Sequence, residues 1–119
     1  MKLDSQLYYY KIKEVVKVVD GDTIDVIVDL GFDVYTKQRI RLYAINAPES
    51  RTRDKEEKKR GLAAKARLKE LCEEGDITLK SYGKGKYGRI LGELYTKKCN
   101  INNILMSEGH AVQYYGGKK

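Results

Sequence analysis

Apolar and polar residues alternate along the first third of the chain with the two-residue period of β-strands. Residues 8–19 are rich in tyrosine, valine and isoleucine and predict a first strand. Asp20-Gly21-Asp22 is typical of a turn, and the alternation over residues 24–28 that follows it predicts a hairpin. A third strand is predicted over residues 34–45, ending before Pro48, because proline cannot donate a hydrogen bond to a sheet.

The period then changes to that of a helix. Small and apolar residues recur at helical spacing, on the face that we expect to be buried: Gly61, Ala64, Leu68, Leu71 and Cys72. Gly75 follows as a stop signal. The densely charged residues 51–60 are predicted to form a solvated loop that runs into this helix.

Two more strands are predicted at residues 77–82 and 90–95, joined by a glycine-rich basic turn. Asn100 can cap a short apolar helix that ends at Gly109. The order is therefore three strands, a helix, two strands and a helix. Five short antiparallel strands with a helix after the third predict an α+β fold, in which a closed, five-stranded OB-fold-like β-barrel carries two helices.

Length and charge narrow the class of protein. The 119 residues fit one domain, residues 1–119, with flexible tails at residues 1–7 and 116–119. The net charge of +7 should attract polyanions such as nucleic acid. Cys72 is expected to be a buried free thiol. Because the N-terminus has no signal-peptide pattern and no stretch approaches transmembrane length, we expect a cytoplasmic protein without membrane contact.

Asp20-Gly21-Asp22 is the first candidate for chemistry. Two carboxylates that flank a glycine in a tight turn can present oxygen atoms to a hard cation such as calcium. The alternative is that the same residues only close a hairpin through an Asx turn, which is the commoner role of such a sequence.

The second candidate combines Arg41, in the predicted third strand, with Glu49, which follows Pro48. A guanidinium opposite the apolar face of a strand can bind a phosphate through two hydrogen bonds. A glutamate behind a proline can be held in a fixed direction. The alternative is an ordinary exposed arginine on a strand and an ordinary glutamate in a loop.

The third candidate is the basic turn, where Lys84, Lys86 and Arg89 surround Tyr87. Three cations and an aromatic ring suit a phosphate backbone and one stacked base. The alternative is a loop that only promotes solubility.

Together the three segments hold what phosphodiester hydrolysis requires: a cation on the phosphate, arginines that stabilise the transition state, and a carboxylate that deprotonates water.

Four short segments in the same order resemble the staphylococcal nuclease family, over a region from about Tyr10 to Tyr115. They are residues 19–24, 41–49, 86–89 and 102–111. The resemblance implies a five-stranded OB-like barrel and calcium-dependent hydrolysis of DNA and RNA that leaves 3′-phosphate ends. We therefore expect an endonuclease, or phosphodiesterase, of the thermonuclease type.

The same resemblance implies roles for individual residues. Asp22 would be a metal ligand, and Asp20 its outer-shell neighbour. Arg41 and Arg89 would bind the phosphate, and Glu49 would be the general base.

The resemblance also implies how the substrate is held. Lys86 and Tyr87 would bind its terminal phosphate, beside the basic Lys84 of the same turn. Tyr114 or Tyr115 would stack on a base. The chain stops soon after Tyr115, where family members continue into a third helix, so we expect that helix to be lacking.

The metal site departs from the family pattern at two positions. The family's second carboxylate ligand is Asn46 here, and a threonine that acts through its backbone carbonyl is Ala47. One calcium ion would therefore be held by Asp22, Asn46 and the Ala47 carbonyl. Because an amide oxygen carries no charge, affinity should be lower by roughly ten- to a thousandfold, and magnesium or manganese could take its place.

Three functions remain open at this point. Arg41, Glu49 and Arg89 together favour an active nuclease, whereas Asn46 favours a weak or inactive OB-type module that binds single-stranded nucleic acid. A barrel for protein interaction would leave these polar residues unexplained. We expect a monomer whose partner is DNA, RNA or both, with single strands preferred.

Overall fold

A computed structural model describes residues 8–85 and 88–114 of the chain. These residues form seven strands and two helices, in the order β1 Tyr8–Asp20, β2 Thr23–Asp29, β3 Tyr35–Leu42, β4 Ile45–Asn46, α1 Lys55–Cys72, β5 Thr78–Lys84, β6 Ile90–Tyr95, α2 Ile101–Ser107 and β7 Val112–Gln113. Within the described residues, no helix is long and apolar enough to span a membrane.

The five longer strands close into a barrel in the order β1-β2-β3-β6-β5. The predicted closed five-stranded barrel with two helices is confirmed. The prediction that all strands run antiparallel is wrong, because β3 and β6 are parallel, with Ile40 paired to Ile90 and Leu42 to Gly92. The physical reason is that the connection through α1 leaves the chain at the end of the barrel where β3 ended. Strand β5 then runs back in the direction opposite to β3, so that β6 starts at the end where β3 began.

The inward alternation of the strands fills the barrel, and both helices add to its core. Side chains that are fully or almost fully buried come from β2, β3, β5, β6 and both helices: Ile24, Val26, Ile40, Leu42, Leu79 and Leu94 from the strands, Leu68 and Leu71 from α1, and Ile101 and Leu105 from α2. Burying one such side chain contributes about 1.5–3 kcal/mol, so the apolar pattern in the sequence is sufficient to specify this core.

The third strand is shorter than predicted. It ends at Leu42 instead of residue 45, because Ala44 adopts a positive φ of 65° and turns the chain. Ile45 and Asn46 then form β4, which pairs with Gln113 and Val112 of β7. Strand alternation continues through this turn in the sequence, so the pattern could not reveal it.

Helix α1 begins earlier than predicted. The Asp54 side chain accepts hydrogen bonds from the backbone N–H groups of Glu56 and Glu57, which caps the helix. Both glutamates also suit the positive end of the helix dipole. Residues 55–60, expected in a loop, are therefore the first turns of α1, and most of their charged side chains remain in solvent.

The buried polar side chains include the amide of Asn102, which is hydrogen-bonded, and the free thiol of Cys72. Asn102, which is 1% exposed, accepts a hydrogen bond from Leu94 N and donates to the carbonyls of Tyr43 and Gly92. It therefore joins α2 to the parallel seam between β3 and β6. Cys72 is a buried free thiol, as predicted, and burial raises its pKa to about 12, so it stays protonated at neutral pH.

Candidate active site

The turn between β1 and β2 packs tightly against α1. A Cβ atom at Gly21 would lie 2.6 Å from the Cβ of Ala64 and 3.0 Å from the Cβ of Ala47, so this approach requires glycine. The aspartates on either side of Gly21 both bind the segment that follows β4. The turn therefore closes the hairpin and also binds the segment of residues 47–50.

Asp22 is a buried carboxylate with two hydrogen bonds. Its Oδ1 accepts from Thr23 Oγ1 at 3.0 Å, and its Oδ2 accepts from the backbone N of Ala47 at 2.9 Å. Only 7% of the residue is exposed. Since an ionised carboxylate has about four acceptor positions, Asp22 retains the capacity to bind a cation.

Arg41 lies beside Asp22 and holds the turn between β3 and β4. Its Nη1 donates to the carbonyls of Leu42 and Ile45, at 2.9 and 2.7 Å. Its Nη2 donates to Asn46 Oδ1 at 3.2 Å and lies 3.6 Å from Asp22 Oδ2. The side chain is only 12% exposed, so Arg41 is not the ordinary surface arginine of a strand.

The oxygen atoms of Asp22 and Asn46 both approach Nη2 of Arg41, and they are the donors that a hard cation would use. Within residues 8–85 and 88–114, no group of three or more His, Cys, Asp or Glu side chains could hold a metal ion. The donor type nevertheless fits calcium or magnesium, which bind carboxylate, amide and carbonyl oxygens and keep several waters. The backbone N of Ala47 lies beside Asp22, whereas the metal-binding role of the Ala47 carbonyl stays a prediction.

Asp20 contacts a residue that the sequence did not single out. Its Oδ1 accepts hydrogen bonds from both the backbone N and the Oγ of Ser50. Ser50 is 2% exposed, so this contact lies inside the protein.

Glu49 is exposed, between Ala47 and Ser50 in the chain. Its backbone N donates to Glu57 Oε2 of α1 at 3.3 Å. A Cβ atom at Gly61 would overlap the carbonyl group of Glu49, so α1 touches this backbone directly. In the described part of the chain, the Glu49 carboxylate has no hydrogen-bond or ion-pair partner.

The second arginine, Arg89, lies next to the parallel pairing of β3 and β6. Arg89 is half-buried and directly precedes Ile90, which pairs with Ile40, the neighbour of Arg41. Gly85 N donates to the Arg89 carbonyl at 2.6 Å and closes the turn that begins after Lys84, the exposed last residue of β5. Arg41 therefore lies in β3, and Arg89 lies immediately before β6, the strand that pairs with β3.

Of the remaining predicted residues, Tyr114 is described and Lys86, Tyr87 and Tyr115 lie outside the described residues. The ring of Tyr114 lies 5.8 Å from Cζ of Arg41, and its backbone N donates to the Ala44 carbonyl at 2.7 Å. Tyr114 thus joins the group around Arg41.

Sequence reasoning missed Ser50, Glu57 and the role of Gly61. Ser50 and Glu57 lie in or beside the charged run, where nothing distinguishes a buried serine or a contacting glutamate from solvated neighbours. Gly61 did carry a signal. A glycine inside a helix costs about 1 kcal/mol relative to alanine, so its presence points to a close approach of another backbone.

The barrel and the polar group at its end define an OB-like domain in which a buried arginine lies beside carboxylate and amide oxygens. Residues 39–119, more than half of the chain, match the family described as staphylococcal nuclease homologue. The chain belongs to that family.

Relatives with this similarity occur in several bacteria. The chain is 36% identical over 114 residues to a micrococcal nuclease of Shigella flexneri, covering 87% of this chain and 59% of that protein. It is 34% identical over 101 residues to an uncharacterized endonuclease of Escherichia coli (84% and 59%). It is 31% identical over 103 residues to endonuclease YncB of Bacillus subtilis strain 168 (83% and 46%). The chain thus spans about half to three-fifths of these relatives.

Proposed function

We propose that this domain is a metal-dependent nuclease that hydrolyses phosphodiester bonds in DNA, RNA or both. The observation that carries the proposal is the group formed by Asp22, Arg41 and Asn46. An ion pair and a hydrogen bond from Arg41 hold this group together, beside the segment that carries Glu49. The names of the relatives, a micrococcal nuclease and endonucleases, support it.

Arg41 and Arg89 are the proposed phosphate ligands. Apart from Asp22 at 3.6 Å, the hydrogen-bond partners of Arg41 are neutral carbonyl and amide oxygens. A charged phosphate oxygen is a stronger acceptor and can compete with them. The two arginines, one in β3 and one immediately before β6, would stabilise the negative charge of the transition state, where one such donor is worth about 3–4 kcal/mol.

Glu49 is the proposed general base. Its exposed carboxylate can take a proton from a water molecule whose oxygen forms a bond to phosphorus. The bond from phosphorus to the 5′ oxygen then breaks, and the leaving oxygen takes up a proton from solvent. The products are a 3′-phosphate end and a 5′-hydroxyl end.

The proposed cofactor is one calcium ion at Asp22, Asn46 and the carbonyl of Ala47, with magnesium or manganese as alternatives. When bound, it would supply positive charge that neutralises and orients the phosphate. A single protein carboxylate supports weak binding, because only Asp22 contributes a formal charge.

The proposed substrate is single-stranded. The Tyr114 ring beside Arg41 supports this, since unpaired bases can stack on an aromatic side chain next to a phosphate site. Lys84, Lys86 and Tyr87 would hold the terminal phosphate, and Tyr115 is the alternative stacking residue. A monomeric, cytoplasmic enzyme stays a prediction.

A second function is an OB-type module that binds single strands without cutting them. The amide at Asn46 favours it, because the site lacks the second charge that would strengthen cation binding.

One digestion series separates the two functions. Wild type, Glu49→Gln and the control Glu74→Gln, an exposed glutamate beyond α1, are incubated with single-stranded DNA, duplex DNA and RNA. Each reaction contains calcium, magnesium, manganese or a chelator. We expect calcium-dependent cutting of single strands by wild type and control, and a loss of at least about a hundredfold in Glu49→Gln with DNA affinity unchanged.

Equal cutting by Glu49→Gln and wild type would remove Glu49 from the mechanism. Failure of the wild type to cut with any ion, together with salt-sensitive DNA binding, would establish the binding module instead.

A further inference from the structure

Residues 47–50 form a short arch that is fixed at both ends by the same turn. At one end, the backbone N of Ala47 donates to Asp22 Oδ2 at 2.9 Å. At the other end, the backbone N of Ser50 donates to Asp20 Oδ1 at 3.2 Å, and Ser50 Oγ donates to the same oxygen. Pro48 and Glu49 lie between the two attachments. The two carboxylates of the turn therefore fix the span that carries Glu49.

Helix α1 fixes the arch from a second side. Glu57 Oε2 accepts a hydrogen bond from the backbone N of Glu49, and the absence of a side chain at Gly61 lets α1 contact the Glu49 carbonyl. The backbone on both sides of the Glu49 side chain is thus held by named contacts, although the carboxylate itself is exposed.

We propose that Asp20 is a positioning residue that acts through Ser50. The inference rests on the proposed role of Glu49 as general base. Ser50 is 2% exposed, and both of its donors converge on one oxygen of Asp20, so the contact is a charge-assisted anchor inside the protein. Its loss would free the end of the arch next to Glu49.

A positioning role and an outer-shell role of Asp20 predict different effects when Asp20 is replaced. An outer-shell residue acts on the metal, so its loss should weaken calcium binding, and Ser50 should be irrelevant. A positioning residue acts on the geometry of the base, so its loss should lower kcat while the affinities for calcium and DNA stay the same. Replacing Ser50 should then also lower kcat, because the change removes a hydrogen bond to Asp20.

The test compares kcat, KM and the calcium Kd of Ser50→Ala, Asp20→Ala and the double variant. We expect kcat to fall about tenfold in Ser50→Ala and about ten- to a hundredfold in Asp20→Ala, with KM and calcium Kd within twofold of wild type. The double variant should be no worse than Asp20→Ala alone, because both changes remove the same contact. Thermal unfolding identifies variants that do not fold.

Conservative variants and a matched control separate positioning from simple loss of stability. Ser50→Thr keeps the hydroxyl, and Asp20→Asn keeps an acceptor oxygen without the charge, so both should retain kcat within about threefold. Thr96→Ala removes another hydroxyl that accepts backbone N–H groups, at the end of β6 away from Arg89, and should leave kcat unchanged.

Hydrogen exchange gives a readout that does not depend on activity. The Ser50 amide should exchange slowly in wild type and at least about tenfold faster in Asp20→Ala, because it loses its acceptor. Unchanged exchange in Asp20→Ala would overturn the inference. So would a wild-type kcat in Ser50→Ala.

Failure of the proposed function has a different signature. If Glu49→Gln cuts as well as wild type in the same series, the role of Glu49 is wrong and the inference falls with it. If Glu49→Gln is inactive while Ser50→Ala and Asp20→Ala cut normally, only the inference is overturned.

Discussion

Asn46 determines how much negative charge lies beside Arg41. Its amide oxygen and the Asp22 carboxylate share one guanidinium nitrogen, so the site carries one formal negative charge where a second carboxylate would give two. We expect Asn46→Asp to tighten calcium binding by about tenfold or more, since a carboxylate attracts the ion through its full charge. Isothermal calorimetry measures the change.

The control for this substitution is Asn103→Asp, which adds the same charge at an exposed position on α2. It should leave calcium affinity unchanged. An equal affinity in Asn46→Asp and wild type would show that residue 46 does not face the ion.

At the scale of residues, the sequence identified side chains whose type suits metal or phosphate binding. It did not identify side chains that only position others. Asp22 and Arg41 were named from their types and positions, and Asn46 from the resemblance to the nuclease family, and the structure brings all three together. Their catalytic and metal-binding roles stay predictions. Ser50 was not predicted, because a buried serine contact depends on the path of the chain between β4 and α1.

At the scale of elements, the contact between α1 and the arch can be tested at Gly61. Alanine is the better helix former by about 1 kcal/mol, so Gly61→Ala should stabilise the helix if nothing lay against it. Because its Cβ would overlap the Glu49 carbonyl, we expect a net loss of about 1–3 kcal/mol in the free energy of unfolding. Urea denaturation measures this loss, and we expect kcat to fall with it.

Ala63→Gly provides the reverse control on the exposed face of the same helix. It should lower stability by about 1 kcal/mol and leave kcat unchanged. A Gly61→Ala variant that is more stable than wild type and fully active would disprove the close approach.

The elements themselves were largely predictable, because alternation and helical spacing follow directly from burial. The errors lie where local geometry overrides the pattern. The positive φ of Ala44 ends β3 early, and the cap at Asp54 starts α1 early. No pattern marks β7, whose two residues are both exposed and pair only with β4.

At the scale of the whole molecule, the proposed function depends on which basic side chains are available to bind nucleic acid. Several are already paired on the outside of the barrel, such as Arg39 with Asp25 and Lys97 with Asp76. If three or four phosphates are bound by Arg41, Arg89, Lys84 and its turn, the logarithm of single-strand affinity should fall with the logarithm of salt with a slope of about −2 to −3.

Fluorescence anisotropy with an oligothymidine and the Glu49→Gln variant measures this slope without cutting. Adding Lys84→Ala should reduce its magnitude by about 0.7, whereas Lys98→Ala, at the far end of β6, should not change it. An equal effect of both lysines would mean that binding is spread over the charged surface.

The parallel seam has a consequence for the timing of folding. Arg41 belongs to the local meander of β1, β2 and β3, and Arg89 belongs to the turn between β5 and β6. The two come together only when β3 pairs with β6, a contact between distant parts of the chain that we expect to form late. A nascent chain whose β6 is still inside the ribosome would therefore hold only half of the proposed phosphate site, so the proposed activity could begin only after β6 has emerged and paired with β3.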